Sequence, residues 1–396
     1  MPSEEYTIRT LGQISDIGAE AWDACANPGG GAADDPFISY AFLHAVEKSA
    51  SAVPRTGWAP QHLVMETADG ELVGAVPLYV KGHSQGEYIF DHSWADAFHR
   101  AGGEYYPKLL SAVPFTPVTG RRVLVKPGPT HENIEAHLLA AAIEVTKQLG
   151  VSSLHFNFLP EADWERMAGL GFLGRTDQQF HWANDGYSSF DDFLGELSSK
   201  KRKNLKRERR LALENDIDIE WVTGDALTER HWDAFYDFYM DTGARKWGQP
   251  YLTREFFSLI SETMADRVLL ILCQRGGRYV AGALNFIGSE ALYGRNWGCL
   301  EDHPFLHFET CYYQAIDFAI AHGLKRVEAG AQGPHKLARG YLPTRTYSAH
   351  WIANEGLREA IDNYLKRERR YVDEEIEMIG EHSPFRVAAS DDSSDG

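Results

Sequence analysis

Two β-hairpins about 200 residues apart constrain the fold of this 396-residue chain more than any other feature. The first spans residues 61–80, where an Asp-Gly pair separates two apolar runs, and the second spans residues 267–287, where a Gly-Gly pair does so. Such pairs between β-rich runs are strong signals for tight hairpin turns. Because the hairpins lie half a chain length apart, the sequence predicts one structural unit that occurs twice.

Each hairpin has the same neighbours along the chain. A helical pattern precedes it, and a further strand, a helix and another strand follow it. In the first half, the preceding helix is predicted at 36–50, the later helix at 132–149 and the last strand at 152–159. In the second half, the corresponding elements are predicted at 251–264, 304–322 and 325–330. This order predicts an α/β fold in which each half is a mixed, mostly antiparallel sheet flanked by helices. We place the domains at 1–188 and 189–380, followed by a disordered acidic tail at 381–396.

The composition excludes several classes of function. The net charge is −18, so the molecule as a whole repels DNA and anionic membranes, and contact with a polyanion needs a local basic patch. The four cysteines are scattered without a CxxC pair, which argues against a disulfide framework or a thiolate zinc site. The N-terminus is not signal-like, and the longest apolar runs are too short to span a bilayer. We therefore predict a cytoplasmic protein without membrane insertion, and the oligomeric state stays open.

A basic stretch between the two halves is the exception to the acidic composition. Eight of the eleven residues at 200–210 are Lys or Arg. In an acidic protein such a cluster is a candidate site for tRNA or a nucleotide diphosphate, and a solvated helix face is the alternative. The candidate residues are Lys201, Arg202, Lys203, Lys206 and Arg207.

Five segments resemble one protein family. They are YYPKLLSAVPFTPVTGRRVL at 105–124, KWGQPYL at 246–252, GRNWG at 294–298, LHFETCYYQ at 306–314 and EAGAQGPHKLARGYLP at 328–343. Together with the repeated order of elements across residues 5–380, they resemble the FemAB-like branch of the GNAT acyltransferase superfamily. This resemblance implies a tandem pair of GNAT-like domains. It also implies transfer of an aminoacyl group from aminoacyl-tRNA to an amine acceptor such as a peptidoglycan precursor, an amino acid or a small amine.

One segment departs from the superfamily pattern. GNAT enzymes that bind acetyl-CoA carry a Q/R-x-x-G-x-G/A loop at a helix N-terminus, where backbone amides hold the pyrophosphate. The corresponding stretch here runs from Arg295 to Leu300, whose side chain would crowd a phosphate, and Glu301 and Asp302 would repel it. We therefore expect aminoacyl-tRNA as co-substrate and no tightly bound cofactor. An acyl-CoA-dependent N-acyltransferase on a small amine and a non-catalytic ligand-binding protein stay open as alternatives.

Residues 292–351 concentrate ionisable side chains in a segment rich in Gly, Tyr and Trp. Ionisable groups are costly to bury and add little to a core, so this density predicts a site. Acyl transfer to an amine needs a base, donors for the oxyanion and aligned reactants. We predict His335, on a glycine-rich loop, as the base, with Glu309 and His307 behind it. Lys336 is predicted as a further catalytic residue that holds a phosphate or carboxylate.

The predicted substrate-binding residues come from the same segment and from a cationic-aromatic cluster near residue 247. His307 and Gln314 fall on one face of a predicted helix and are expected to point into a cleft together. His303 and His307 have the spacing of metal ligands, but such pairs are common by chance, and we predict no metal. The predicted binding residues are Arg295, Asn296, Trp297, Gln314, Glu328, Arg339, Arg245, Lys246, Trp247 and Tyr251.

The first half also contains side chains typical of a site. The GNAT resemblance favours chemistry in the second half, where the backbone at 296–298 is the expected oxyanion donor. We therefore assign the first-half residues to acceptor binding or to contacts between the halves. They are His92, Trp94, Asp96, Tyr105, Tyr106 and Lys108.

Overall fold

The computed structural model describes residues 5–29, 34–246, 250–330 and 333–386, which form two sheets surrounded by helices. The strands are β1 (Tyr6–Leu11), β2 (Trp58–Pro60), β3 (His62–Thr67), β4 (Leu72–Val76), β5 (Tyr79–Lys81), β6 (Lys108–Ser111), β7 (Leu124–Val125), β8 (Ser153–Leu159), β9 (Leu173–Ala183), β10 (Ile217–Thr223), β11 (Val268–Arg275), β12 (Arg278–Ile287), β13 (Ala291–Cys299), β14 (Arg326–Glu328) and β15 (Leu342–Ile352). The helices are α1 (Ala19–Ala26), α2 (Tyr40–Lys48), α3 (His92–Arg100), α4 (His131–Gln148), α5 (Glu161–Gly169), α6 (Phe190–Glu196), α7 (Ser199–Ala212), α8 (Glu229–Lys246), α9 (Arg254–Met264), α10 (Leu306–Phe308), α11 (Gln314–Ala321) and α12 (Glu355–Glu381). None of the helices in these ranges is both long and apolar enough to cross a membrane.

Both predicted hairpins are present. β3 pairs antiparallel with β4, and β11 pairs antiparallel with β12. The second turn is Gly276-Gly277, and both glycines have positive φ values, 56° and 77°, which residues with a Cβ rarely adopt. In each half a parallel pair of strands follows, joined by a helical segment: β6 with β8 across α4, and β13 with β14 across α10 and α11. The predicted repeat of one α/β unit is confirmed.

The two halves share one sheet, which the sequence did not indicate. Eleven strands lie in the order β10-β11-β12-β13-β14-β9-β15-β8-β6-β5-β2, while β1, β3, β4 and β7 form a second sheet. β9, from the first half, lies between β14 and β15 of the second half, and β15 also pairs with β8. The last strand of each half is therefore inserted between strands of the other. The predicted boundary at 188/189 separates the halves along the chain, but the sheet runs across it.

Aromatic side chains from both halves also share one core. Phe37 packs on Phe286 with ring centres 5.1 Å apart, and Phe42 packs on Phe256 with ring centres 5.7 Å apart. All four side chains are buried. Fully burying one large apolar side chain contributes about 1.5–3 kcal/mol, so this interface binds the halves strongly.

One helix in the second half contains a π-helical turn. α10, the turn Glu309–Tyr313 and α11 follow one another without a break. A π turn adds one residue to a helical turn and so rotates every later side chain about the helix axis. His307 packs on Trp297 of β13 with ring centres 5.3 Å apart, whereas Gln314 accepts a hydrogen bond from Trp221 of β10 at 2.8 Å. The structure therefore does not bring His307 and Gln314 into one cleft.

The π turn is held by a buried ion pair to the basic helix α7. Glu309 is fully buried and accepts hydrogen bonds from Nη2 and Nε of Arg209 at 2.9 and 3.2 Å. Arg209 also donates to Asp317 at 2.6 Å, and Gln314 donates to Glu309 at 2.8 Å. Burial raises the pKa of Glu309, and the Arg209 guanidinium opposes that rise. Glu309, which the sequence suggested as a catalytic residue, is placed as an anchor between α7 and the π turn.

A buried histidine pair joins β8 to β15. The Nδ1 atoms of His155 and His350 lie 2.7 Å apart, and their Nε2 atoms lie 2.7 and 2.9 Å from the hydroxyls of Ser153 and Ser348. Burial, reinforced by the Lys108 ammonium, lowers the pKa of His155 to about 3, and burial lowers the pKa of His350 well below its usual value. Both rings are therefore neutral in the folded protein near pH 7, and one Nδ1–H donates to the other Nδ1.

We expect this pair to make stability depend on pH. An unfolded histidine binds a proton below about pH 6.5, whereas the folded pair stays neutral, so the free energy of unfolding decreases as pH falls below about 6.5. Each histidine contributes up to about 1.4 kcal/mol per pH unit. Urea unfolding at a series of pH values measures the decrease. It should be shallower in His155→Asn/His350→Asn than in the wild type, and unchanged in the exposed control His137→Asn. Equal decreases in all three proteins would contradict this role of the pair.

The Arg209–Glu309 pair gives a second stability prediction. In Arg209→Ala, the carboxylate of Glu309 stays buried without its cation, and we expect the free energy of unfolding to fall by about 3 kcal/mol. Arg210 is the matched control, because it is exposed and pairs with Glu214 at 3.0 Å on the surface of the same helix. Arg210→Ala should cost less than about 1 kcal/mol. Similar losses for the two variants, measured by urea unfolding, would show that the buried pair does not hold the π turn.

Candidate functional site

The second-half sheet opens between β13 and β14. The two strands pair in parallel over only three positions, from Ala291 opposite Arg326 to Tyr293 opposite Glu328, and β13 then continues alone on this side to Cys299. On its other edge, β13 pairs with β12 through a β-bulge that leaves Arg295 without a partner residue. Bulges bend a strand and are frequent beside active sites. The bulge and the divergence of the two strands coincide, so the sheet opens at residues 294–297.

A cavity of about 120 Å³ lies in this opening. Its walls are three residues of β12, four of β13, the residue after β14 and one face of the α10–π-turn segment. The lining residues are Ala283, Leu284, Asn285, Gly294, Arg295, Asn296, Trp297, His307, Cys311, Tyr312 and Ala329. A wider surface depression of about 390 Å³ lies at the start of α12, but its charged groups all come from that one helix. The cavity at the opening is the better candidate site because polar groups from several elements converge on it.

An aromatic cluster closes the cavity on the helix side. His307 lies 5.6 Å from Tyr312 between ring centres, and the Tyr312 hydroxyl lies 2.9 Å from Nε2 of His335. His335 itself is exposed. Partial burial, together with the nearby charges of Arg339 and Lys336, lowers the pKa of His335. Its imidazole is therefore neutral near pH 7, which is the form that can accept a proton.

Two cations lie beside the cavity. Lys336 is buried, and its ammonium donates to the carbonyls of Ala329 and Gly330 at 2.7 and 2.9 Å, immediately after β14. Burial lowers the pKa of Lys336 to about 8, and the charge of Arg295 contributes to the lowering. Burial also lowers the pKa of Arg295, whose guanidinium forms no hydrogen bond within the part of the chain that the structure describes. The positive charge of Arg295 is thus available to a ligand.

One buried acceptor in the cavity has no partner. Asn285 is 1% exposed, and its Nδ2 donates weakly to the carbonyls of Leu269 and Ala283, both at 3.4 Å. Its Oδ1 accepts no hydrogen bond, and a Cβ on Gly294 would lie 3.5 Å from that oxygen. An unsatisfied buried acceptor is costly, so Asn285 points to a ligand with a donor group. Asn285, Cys311 and Tyr312 were not predicted as site residues, although the single Asn within the apolar strand AGALNFI is a visible signal.

Other predicted residues surround the cavity without lining it. Arg339 is buried, donates to Glu208 of α7 at 2.8 Å and lies 3.5 Å above the ring of Phe308, so it holds the loop that carries His335. Glu328 accepts from Arg326 at 2.8 Å, while its Oε2 lies 3.8 Å from Nε2 of His181 and forms no hydrogen bond.

The described residues of the cationic-aromatic cluster near residue 247 make contacts outside the cavity. Tyr251 stacks on Phe115 of the first half with ring centres 4.8 Å apart. Arg245 pairs with Asp241 at 2.5 Å and donates to the Cys299 carbonyl at 2.8 Å. The Lys246 side chain and Trp247 lie outside the described residues.

The basic helix α7 packs against the π turn and the 334–339 segment, next to the cavity. Lys203, Lys206 and Arg207 are exposed, and Lys206 pairs with Asp191 at 2.9 Å. Lys201 is half-buried, and Arg202 donates to the carbonyls of Gly195 and Leu197 at 3.4 and 3.2 Å. α7 therefore carries exposed cations on a helix that packs against the π turn, part of which lines the cavity.

The stretch that corresponds to the CoA-binding loop of GNAT enzymes is mostly part of a β-strand here. Arg295 to Gly298 lie within β13, and Asn296, Trp297 and Gly298 occupy paired positions opposite β12. Their amides therefore do not form a pyrophosphate cradle at a helix N-terminus. Leu300 is 55% exposed, and Glu301 is neutralised by Arg275 and Arg278, both at 3.3 Å. From the sequence, Glu301 was expected to repel a phosphate, but in the folded chain its charge is paired with Arg275 and Arg278.

In the corresponding place of the first half, an arginine binds the backbone carbonyls beyond the paired strands. β6 and β8 pair in parallel up to Ser111 opposite Phe156. Just beyond, the buried Arg122 donates to the carbonyls of Asn157 and Val118 at 3.0 and 2.6 Å. A guanidinium of the chain itself thus binds the carbonyl that follows the paired positions.

The site-like residues of the first half form a buried network. Lys108 donates to Ser84, Glu87 and Asp91 at 2.8, 2.8 and 2.5 Å, and Tyr105 donates to Asp91 at 2.7 Å. The remaining predicted residues border it: Tyr106 contacts Ser84 at 2.8 Å, Trp94 packs on His350, and His92 and Asp96 lie on α3. Among the described residues, one oxygen each of Glu87 and Asp91 and the indole N–H of Trp94 have no hydrogen-bond partner. The Trp94–His350 contact connects this region to the second half.

Three solved structures share this fold over most of the chain. A structure of FemX has a TM-score of 0.54 at 14% identity and covers 87% of this chain and 98% of its own. The C-terminal domain of a protein named as a lysylphosphatidylglycerol synthetase from Agrobacterium fabrum has a TM-score of 0.52 at 9% identity, covering 87% and 96%. L-PGS from Bacillus licheniformis has a TM-score of 0.51 at 8% identity, covering 86% and 98%. At these identities the likeness establishes the fold.

Sequence comparison identifies the family. No curated protein sequence matches the chain. The profile of the FemAB_like family, described as peptidoglycan biosynthesis/recognition, matches residues 13–387, which is nearly the whole chain. The chain therefore belongs to the FemAB_like family, and its two halves, which repeat one α/β unit, together share the fold of FemX.

Proposed function

We propose that this acyltransferase moves an aminoacyl group from aminoacyl-tRNA to an amine and so forms an amide bond. The observation that carries the proposal is the open position between β13 and β14, where the Asn285 Oδ1 and the Arg295 guanidinium form no hydrogen bond with the residues that the structure describes. A site that leaves a buried acceptor and a partly buried cation unsatisfied is adapted to a ligand that supplies their partners. The family description supports a peptidoglycan precursor as the amine acceptor, and an amino acid or a small amine fits the same chemistry.

The surrounding groups fit the three requirements of acyl transfer. His335, neutral near pH 7, takes the proton that the attacking amine loses, and the Tyr312 hydroxyl 2.9 Å away orients its ring. Lys336 uses two N–H groups on the Ala329 and Gly330 carbonyls and keeps a third for the developing oxyanion. Arg295 and Asn285 bind the polar parts of the donor and hold its carbonyl in place.

The distribution of charge favours tRNA as the source of the acyl group. The chain has a net charge of −18, yet the exposed cations of α7 adjoin the helix side of the cavity. A pyrophosphate cradle made by residues 295–298 is not formed, which weighs against acyl-CoA bound in the usual GNAT manner. An acyl-CoA-dependent N-acyltransferase is the second candidate. Arg275 and Arg278 neutralise the charge of Glu301, which would otherwise repel a phosphate of CoA.

The base is tested by His335→Ala. Loss of general-base catalysis typically lowers the rate about 10²–10⁴-fold, and we expect amide formation from labelled aminoacyl-tRNA to fall by that amount. Because the pKa of His335 is lowered, the wild-type rate should stay high down to a pH below about 6.5 before it declines. His137→Ala, at an exposed position of α4, is the control and should keep the wild-type rate. Full activity of the His335 variant would rule out this base.

The donor is tested on the exposed cations of α7. We expect Lys203→Ala/Lys206→Ala/Arg207→Ala to weaken aminoacyl-tRNA binding and to lower the slope of log affinity against log salt concentration by about one for each phosphate that α7 no longer binds. The matched control changes three exposed cations on α12, Lys366, Arg367 and Arg370, each to Ala. Equal effects of the two triple variants would mean that only net charge matters. A rise in melting temperature with acetyl-CoA, and none with aminoacyl-tRNA, would favour the second candidate.

A further inference from the structure

The cavity contains a thiol that the proposed roles do not use. Cys311 is half-buried and lines the cavity together with His307, which precedes it by four positions across the start of the π turn. A thiol and an imidazole on one wall of an acyl-transfer cavity are the two groups that nucleophilic catalysis through sulfur requires. The other cysteines are placed differently. Burial raises the pKa of Cys25 to about 11 and that of Cys273 to about 12, and Cys299 does not line the cavity.

An independent feature indicates that a ligand is held against this wall. Asn285 lines the same cavity, is 1% exposed, and leaves its Oδ1 without a hydrogen bond. A donor group on the ligand, such as the α-amino group of an aminoacyl moiety, would satisfy this oxygen. A ligand fixed at Asn285 is confined to a cavity of about 120 Å³ that also exposes Cys311, so its acyl carbon is held near the thiol.

A buried cation lies near the sulfur of Cys311. The Lys336 ammonium and a negative charge on Cys311 attract each other. This attraction raises the pKa of Lys336 and so acts against the lowering by burial. The same attraction stabilises a thiolate, which is the reactive form of cysteine. Lys336 is fixed by its hydrogen bonds to Ala329 and Gly330, so the cation stays in place during the reaction.

We propose that Cys311 is a catalytic nucleophile that carries the acyl group as a thioester before the amine receives it. This inference rests on the proposed acyl transfer and adds a covalent intermediate to it. In the first step the Cys311 sulfur attacks the donor carbonyl, a carbon–sulfur bond forms, and the carbon–oxygen bond to the leaving alcohol breaks. His307 accepts the thiol proton and passes it to that oxygen. In the second step the amine attacks the thioester and the carbon–sulfur bond breaks. His335 accepts the proton that the amine loses and passes it to the departing sulfur. No oxidant or reductant is needed.

The nucleophile is tested first with a small activated ester, independently of the natural donor. Wild-type protein is incubated with p-nitrophenyl acetate, and the released p-nitrophenolate and the intact protein mass are measured. We expect a burst close to one equivalent and one acetyl group, located on Cys311 by peptide mass spectrometry. Cys311→Ala should lose both, while Cys299→Ala, the half-buried cysteine outside the cavity, should retain both. Acetylation of Cys299 instead, or an undiminished burst in Cys311→Ala, would overturn the proposal.

A single-turnover experiment separates this inference from the proposed function. Each protein is mixed with labelled aminoacyl-tRNA without an acceptor and quenched in acid, and an amine is then added to a parallel sample. The expected result is label on wild-type protein that the amine removes, with amide formation slowed on the order of 100-fold or more in a Cys311→Ala protein of unchanged melting temperature. Amide formation by Cys311→Ala at the wild-type rate would refute the thioester and leave the transferase standing. Acetylation of Cys311 by the ester, without any reaction of aminoacyl-tRNA, would refute the proposed donor and leave the nucleophile standing.

Discussion

The site depends on the point where β13 and β14 stop pairing. Two strands that diverge inside a sheet leave backbone and side-chain polar groups without ladder partners, and such groups must be satisfied by something else. In the second half the Lys336 ammonium satisfies the carbonyls after β14, and the remaining space is left as a cavity. In the first half Arg122 occupies the corresponding position. The two halves therefore differ in the cation that binds these carbonyls, and in the second half a cavity lies beside it.

Charge is distributed so that the cations serve two purposes. On α7, Arg209 is turned inward and holds the π turn through Glu309 and Asp317, whereas Lys203, Lys206 and Arg207 face solvent. The inward arginine fixes the helix that carries His307 and Cys311, and the outward cations form a positive surface beside the cavity in an acidic protein. The same helix, α7, carries the exposed cations and the arginine that holds the π turn. A shift of α7 would therefore move the basic surface and change the wall of the cavity together.

Local sequence signals predicted the repeated unit but not the way its two copies combine. The Gly-Gly and Asp-Gly turns and the helices follow from short-range patterns, and the fold places the rings of His307 and His335 6.3 Å apart. Three features lie outside such patterns. The insertion of β9 between β14 and β15 depends on long-range pairing, the π turn shifts Gln314 away from His307, and the apparent catalytic carboxylate Glu309 is neutralised by Arg209, one hundred residues earlier. The single polar residue Asn285 in an apolar strand was the one local signal for the cavity that was overlooked.

Because the two halves share one sheet, the first half contributes to the shape of the cavity in the second half. β14 has only three residues, and it is held between β13 and β9, a strand of the first half. β9 is in turn aligned by β15, which the His155–His350 contact ties to β8. A three-residue strand has too few hydrogen bonds to define the angle of an opening by itself, so the geometry of the cavity is set by strands that belong to the other half. The first half thus positions β14 through β9, while the described residues that line the cavity belong to the second half.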